Sequence, residues 1–166
     1  MKIILRALSI VTLNFCFLFS NEGFSVESHL VNVSQPKYRG AGRCRPGEVL
    51  SGEVYHLNNG VSYCSTLKVE IDGNDYNIDV GQALFYGRGP CPQGSVLNAT
   101  ANSVLRGQAY CSQLSVEVDG VVILVNRVRP INRGQVPSCR NDEVLPGYMT
   151  QLMNGVAICS QLKVLF

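Results

Sequence analysis

Val61-Ser62-Tyr63-Cys64-Ser65-Thr66-Leu67-Lys68-Val69-Glu70-Ile71-Asp72-Gly73 is the stretch whose reading decides the fold. Val61, Tyr63, Ser65, Leu67, Val69 and Ile71 recur with a period of two, the pattern of a strand with one buried face. Cys64 falls on the other face, so something must cover that side near the strand's start. Asp72-Gly73 then offers the dipeptide preferred by a two-residue hairpin turn, whose two central residues both need positive φ. The same phrase returns as Gln108, Tyr110, Ser112, Leu114, Val116 and Val118 before Asp119-Gly120. It returns again as Val156, Ile158, Ser160, Leu162, Val164 and Phe166.

Outward from that phrase, residues 26–166 divide into three stretches of 47, namely 26–72, 73–119 and 120–166. Each holds a cysteine and, 20 positions later, a second: Cys44 and Cys64, Cys91 and Cys111, Cys139 and Cys159. The third stretch carries one inserted residue before Cys139. Self-similarity at a fixed period predicts a tandem triplication, with each copy one supersecondary unit. A lone copy of that size is marginal even with a disulfide, so 26–166 is expected to fold as one domain.

Residues 1–25 set the compartment. Lys2 and Arg6 precede an apolar stretch through Ile10, Val11, Phe15, Phe17, Leu18 and Phe19, and Gly23 and Ser25 stand at −3 and −1 of a cut before Val26. This is the pattern of a secretory signal peptide. Arg6, Thr12 and Asn14 interrupt it, leaving it short of the ~20 apolar residues of a membrane span. Cleavage removes Cys16, so seven cysteines become six. In an oxidising pathway, with no Cys-x-x-Cys or Cys/His pairs for a metal, these read as disulfides. Equivalent copies should bond equivalently, either within each copy or from one to the next. Pairing within the copy is favoured, because a loop of about 20 residues closes at modest entropic cost and its bond contributes roughly 3 kcal/mol.

Between the cysteines, Leu50, Val54, Leu57, Val61 and Cys64 follow a helical spacing. Ser51 or Asn98 is placed as an N-cap and Gly60, Gly107 or Gly155 as a terminator. The expected unit is therefore strand, disulfide-anchored loop, short helix at about 52–59, long strand. The expected class is α+β with mainly antiparallel sheet. The alternative reads Asn59-Gly60 and Asn154-Gly155 as hairpin turns and makes the unit all-β, as a β-trefoil requires. Hairpins at the two Asp-Gly junctions leave the first strand (about 29–33) and the last (about 156–166) without mates. Their pairing would close a pseudo-threefold ring and hide two exposed edges.

Composition excludes some partners and the motifs offer little catalysis. Without Lys2, Arg6 and Glu22, 12 basic and 11 acidic residues remain, too balanced to draw nucleic acid or an anionic membrane. No cofactor motif, metal pattern, phosphate loop or Gly-x-Ser-x-Gly occurs. His29 and His56 are unmatched in the other copies. His56 with Glu53 or Glu70 is the one acid–base pairing that could serve a hydrolase. Ser65, Ser112 and Ser160 recur inside strands, where a packed side chain is expected rather than a nucleophile. Asn32-Val33-Ser34 and Asn98-Ala99-Thr100 are glycosylation sequons.

The reading is thus a secreted, non-enzymatic binding or effector-type protein whose partner, a protein or a glycan, lies outside the cell; a secreted hydrolase, ribonuclease-like, is the alternative. Phe85, Tyr86 and Arg88 are the candidate contacts, since recognition surfaces enrich exposed aromatics and arginine. The absence of Trp removes a favoured sugar-stacking residue, and no polar and aromatic cluster repeats threefold.

The run Phe85-Tyr86-Gly87-Arg88-Gly89-Pro90-Cys91-Pro92-Gln93-Gly94-Ser95-Val96-Leu97, continuing to Ala109-Tyr110-Cys111, resembles the aromatic-x-Cys opening, short helix and Cys ending of ribonuclease-like secreted effectors of powdery mildew fungi. The Tyr-Pro strand and the His/Glu/Arg set of active fungal ribonucleases have no counterpart here. The resemblance therefore implies a non-catalytic effector delivered outside the producing cell, and it carries over no site residues.

Overall fold

The alternation that begins at Val61 becomes a ten-residue strand, and two shorter strands and one helical turn fold back onto its first half. The computed structural model describes residues 26–135 and 138–166; the expected leader, with Cys16, lies outside the described residues. The first stretch holds β1 (Ser28–Val33), β2 (Lys37–Gly40), β3 (Glu48–Leu50), α1 (Val54–Asn58) and β4 (Ser62–Ile71). The second holds β5 (Asn74–Asn77), β6 (Asp79–Val80), β7 (Leu84–Gly87), β8 (Ser95–Leu97), α2 (Ala101–Leu105) and β9 (Ala109–Val118). The third holds β10 (Val121–Leu124), β11 (Asn126–Arg127), β12 (Ile131–Gly134), α3 (Met149–Met153), β13 (Ala157–Cys159) and β14 (Leu162–Leu165).

The sheet is antiparallel throughout and dominates, so an all-β description fits better than the expected α+β class. The short helix is present where its spacing placed it, but each is a single turn of five residues. A helix that short cannot form a layer of its own and lives on tertiary packing. Each ends in the same way: Gly60 and Val61 donate to the Leu57 and His56 carbonyls, and Gly107 with Gln108 and Gly155 with Val156 repeat this on Val104 with Ser103 and Leu152 with Gln151. This is the Schellman arrangement that a glycine at positive φ permits. The N-caps differ from expectation. They are Glu53, Thr100 and Tyr148 rather than Ser51 or Asn98, and only Thr100 caps with its side chain, accepting from the Ser103 N–H.

Asp72-Gly73 and Asp119-Gly120 form the expected tight turns, with φ of 50° and 77° in the first and 51° and 79° in the second. They join β4 to β5 and β9 to β10. The first strand divides its pairing: Ser28–Leu30 run against β14 and Val31–Val33 against β4, so the two ends of the described chain meet. Likewise β5 pairs with β4 and β6 with β9, while β10 pairs with β9 and β11 with β14. The ladders do not merge into one closed barrel. They form sheets of seven, five and two strands, interrupted at Ile78 and Val125, where the chain passes from one neighbour to the next.

Two apolar clusters result, and matching positions of the three stretches feed both. Val31, Ile78 and Val125 meet Leu67, Leu114 and Leu162, together with Val69, Val116 and Val164, in one. Leu50, Leu97 and Leu145 join Val54, Ala101 and Met149, and Leu57, Val104 and Leu152, around the disulfides in the other. The long strand explains the division. In β4 the odd positions from Ser65 to Ile71 are buried in one cluster, while Ser62 and Cys64 turn toward the helical turns, which cover the face that held the cysteine. The bonds run within each stretch, Cys44–Cys64, Cys91–Cys111 and Cys139–Cys159, with Cα separations of 5.5, 5.5 and 5.7 Å.

The stretches also lock one another. Cys139 N–H donates to the Gly52 carbonyl at 2.9 Å, and Cys91 N–H to that of Pro146 at 2.8 Å. Approach at Gly52 is so close that a Cβ there would lie 2.2 Å from the Cys139 Cβ. Ala99 stands at the matching place in the second stretch and is buried. Three disulfides, with no helix among the described residues long and apolar enough to cross a membrane, are compatible with an extracellular protein.

Candidate functional site

A four-residue turn precedes β3, β8 and the matching segment of the third stretch: Arg45-Pro46-Gly47-Glu48, Pro92-Gln93-Gly94-Ser95 and Arg140-Asn141-Asp142-Glu143. In each, the fourth N–H donates to the first carbonyl at 2.9 to 3.0 Å. In the first and third stretches the buried glutamate also accepts from the first residue's N–H, at 3.0 Å in both. The same carboxylate takes a forked ion pair from an arginine on β2 in the first stretch and on β12 in the third. Arg39 binds Glu48 through Nε at 3.0 Å and through Nη2, and Arg133 binds Glu143 through Nε at 3.2 Å and through Nη2. Hydrogen bonding from Arg39 holds the Glu48 carboxyl below its ordinary range in spite of burial, and the same bond raises Arg39 above its own.

The second stretch lacks all three groups. Tyr86 stands for the arginine, Ser95 for the glutamate, and Pro92, which has no N–H, for the residue whose N–H the carboxylate satisfies. Support comes from behind instead. Arg127 donates from Nη1 to the Ser95 carbonyl at 3.0 Å and the Pro146 carbonyl at 3.4 Å, and from Nη2 to the Cys91 carbonyl at 3.0 Å. Burial lowers the Arg127 pKa below its ordinary value. The position that Arg127 occupies belongs to Val33 and Val80 in the other stretches.

The front of the turn is therefore open. A cleft of about 280 Å³ lies there, lined by Gly81, Gln82, Leu84, Tyr86, Ser95, Cys111 and Gln113. Gly81 and Gln82 also wall a second depression of about 250 Å³, which takes in Arg43, Arg45 and Asn98. Beside the first cleft, β7 carries three large apolar residues in a row, Leu84 at 54%, Phe85 at 58% and Tyr86 at 45% exposure. Phe85 meets the Tyr110 ring at 5.3 Å between centroids, and the Arg43 guanidinium lies 5.9 Å from the centre of that ring, within cation–π range.

The three expected contact residues thus divide: Tyr86 lines the cleft, Phe85 adjoins it on β7 and packs against Tyr110, and Arg88 lines a separate depression with Gly107, Met149 and Met153. Arg43, Gln82 and Gln113 belong to the surface and were missed. The available signal was the pairing of Arg39 with Glu48 and Arg133 with Glu143, broken at Tyr86 and Ser95.

The remaining candidates lie elsewhere. His56 sits among rings, 4.6 Å from Tyr63 and 5.4 Å from Tyr55 between centroids, and no ion pair joins it to Glu53 or Glu70 among the described residues. Ser65, Ser112 and Ser160 are buried. Asn98 donates from Nδ2 to the Ser112 hydroxyl at 3.0 Å, while Asn32 is exposed on β1. Cys139, Glu143 and Cys159 cluster tightly, but both sulfurs are consumed by their disulfide and the carboxylate by Arg133, so they do not form a metal-binding set. No family model matches the chain, and neither does any curated protein or solved structure.

Proposed function

We propose that this is a secreted, non-enzymatic binding protein of the effector type, which meets a protein or glycan partner outside the producing cell through β7 and the cleft beside it. The single observation that carries this reading is the exposed Leu84-Phe85-Tyr86 row flanking a cleft walled by Tyr86 and Ser95, where the other two stretches carry an arginine–glutamate ion pair. Aromatic side chains with a neighbouring arginine supply contact area at low cost in rotamer freedom. The scaffold reading that goes with it is a tandem triplication in a β-trefoil-like, pseudo-threefold arrangement. Its support is the meeting of β1 with β14 and the matched residues in both apolar clusters. Three equivalent units let one diverge while two keep the frame. Removal of residues 1–25 belongs to the same reading, as does a glycan on Asn32, whose side chain is free of the bond that ties Asn98 to Ser112.

The test immobilises the oxidised 26–166 chain and exposes it to extracellular and cell-surface fractions. Material retained by the wild type and released from the F85A/Y86A double variant supports the reading. Nuclease or esterase activity of the wild-type protein that disappears in His56→Ala would overturn it in favour of a hydrolase.

A further inference from the structure

The cleft beside β7 differs from its two counterparts in a way that specifies a ligand chemistry. Where Arg39 with Glu48 and Arg133 with Glu143 occupy the front of the turn, the second stretch has a phenol and a small hydroxyl. The exchange removes donor and acceptor together. Pro92 removes the N–H that a carboxylate would satisfy, and Arg127 holds the turn through the Cys91 and Ser95 carbonyls from the opposite side. A vacancy made by a single deletion would strand a polar group, at a cost of roughly 1–3 kcal/mol. Here Arg127 takes over the turn through Nη1 and Nη2, with only its buried Nε left without a partner, so the carboxylate is replaced rather than merely deleted.

The lining residues then narrow the occupant. Gly81, Gln82, Leu84, Tyr86, Ser95, Cys111 and Gln113 include no charged side chain. A charged ligand group would give up hydration without gaining a counter-charge. An aliphatic ligand would leave two side-chain amides unpaired. Gln82 and Gln113 each present a carbonyl acceptor and an amine donor, the complement of adjacent hydroxyls, which both donate and accept. Tyr86 and Leu84 offer an apolar wall for a C–H face. The volume, about 280 Å³, lies at the lower end of small-ligand sites, which begin near ~300 Å³, and suits one ring rather than a chain.

We propose that the cleft formed by Gln82, Leu84, Tyr86, Ser95 and Gln113 binds a single uncharged sugar residue, the end of a glycan. This rests on the binding reading above and names its ligand class. It also accounts for the lack of a threefold repeat of sugar-binding residues, because the site exists only where one stretch departs from the other two.

The test adds the methyl glycosides of glucose, galactose, mannose and N-acetylglucosamine to the ¹⁵N-labelled 26–166 chain, at about 10 mM so that a millimolar site fills. At least one should shift the amides of residues 81–86, 95 and 113. Rebuilding the first stretch's triad as Tyr86→Arg, Pro92→Arg and Ser95→Glu together should abolish those shifts. Gln113→Thr, an exposed change to the residue that the first stretch carries there, should weaken binding about tenfold or more and keeps the test decisive if the triple variant does not fold. No shift with any of the four glycosides, or shifts indifferent to Gln113→Thr, would overturn the proposal. Should the F85A/Y86A variant still release captured material that the glycosides neither shift nor displace, the sugar assignment fails and the binding reading survives. Should that variant release nothing, both fail.

Discussion

The turns at Arg45–Glu48 and Pro92–Ser95 have the same shape and opposite supports. The first is held from the front by a buried carboxylate that ties a backbone N–H to Arg39, and the second from behind by Arg127 on three carbonyls. The difference teaches that the fold needs the turn anchored but does not prescribe the side. Front anchoring places an arginine–glutamate ion pair where the second stretch has Tyr86 and Ser95. Rear anchoring leaves a cleft between Tyr86, Gln82 and Gln113.

That contrast can be broken most sharply at Glu143, which is 2% exposed. Glu143→Ala strands the Arg140 N–H and the Arg133 guanidinium and should cost on the order of 3 kcal/mol in urea unfolding. Ser95→Ala, at the matching place, should cost under about 1 kcal/mol, because Ser95 holds the turn through its backbone N–H and carbonyl, which alanine keeps. Equal losses would show that both turns depend on the front. The packing of one stretch on the next gives the second contrast. Gly52→Ala drives a methyl into Cys139 and should cost about 2 kcal/mol by thermal unfolding, although Ala99 is natural at the equivalent position.

Rear anchoring is tested by Arg127→Met, which keeps the apolar stem and removes the three hydrogen bonds made by Nη1 and Nη2. A loss of roughly 1.5 kcal/mol is expected, with amide exchange rising locally at residues 91–95 rather than at 45–48. The smallest effect is one of pH. Glu48 titrates below its ordinary value when folded, so the stability it contributes is complete above the unfolded carboxyl pKa, about 4.3, and drains away as pH falls through the lower folded value. Glu48→Gln should flatten the acid side of the stability profile, and an unchanged profile would contradict the assigned role.

Much of the frame was legible because it depends on short-range chemistry. Cys44 and Cys64 could be paired from their spacing, Asp72-Gly73 read as a turn from the φ values it tolerates, and Gly60 placed at the end of a helical turn. The mainly antiparallel sheet was legible, but the α+β class overstates the helix, because a helical spacing between Leu50 and Cys64 does not say how many residues are helical. Only α1's five are, too few to make a layer. The caps failed for a related reason: the chain around Ser51 is drawn into a bridge with Val144 of the third stretch, which local sequence does not reveal. The contact surface was half legible. Phe85 and Tyr86 stood out as aromatic, but their separation from Arg88 required knowing where β7 ends.

The sequence alone determined the local pieces: the alternating strand, the Asp-Gly turns, the helical turn and the closed cysteine loops, all set by neighbours within about 20 residues. Only the tertiary structure decided which surface is available. Arg39 meets Glu48 only because β2 and β3 both pair with β4, and Arg127 reaches the Cys91 carbonyl from a strand 36 residues away. A side chain's charge has consequences only once packing fixes its distance to a partner and the water between them.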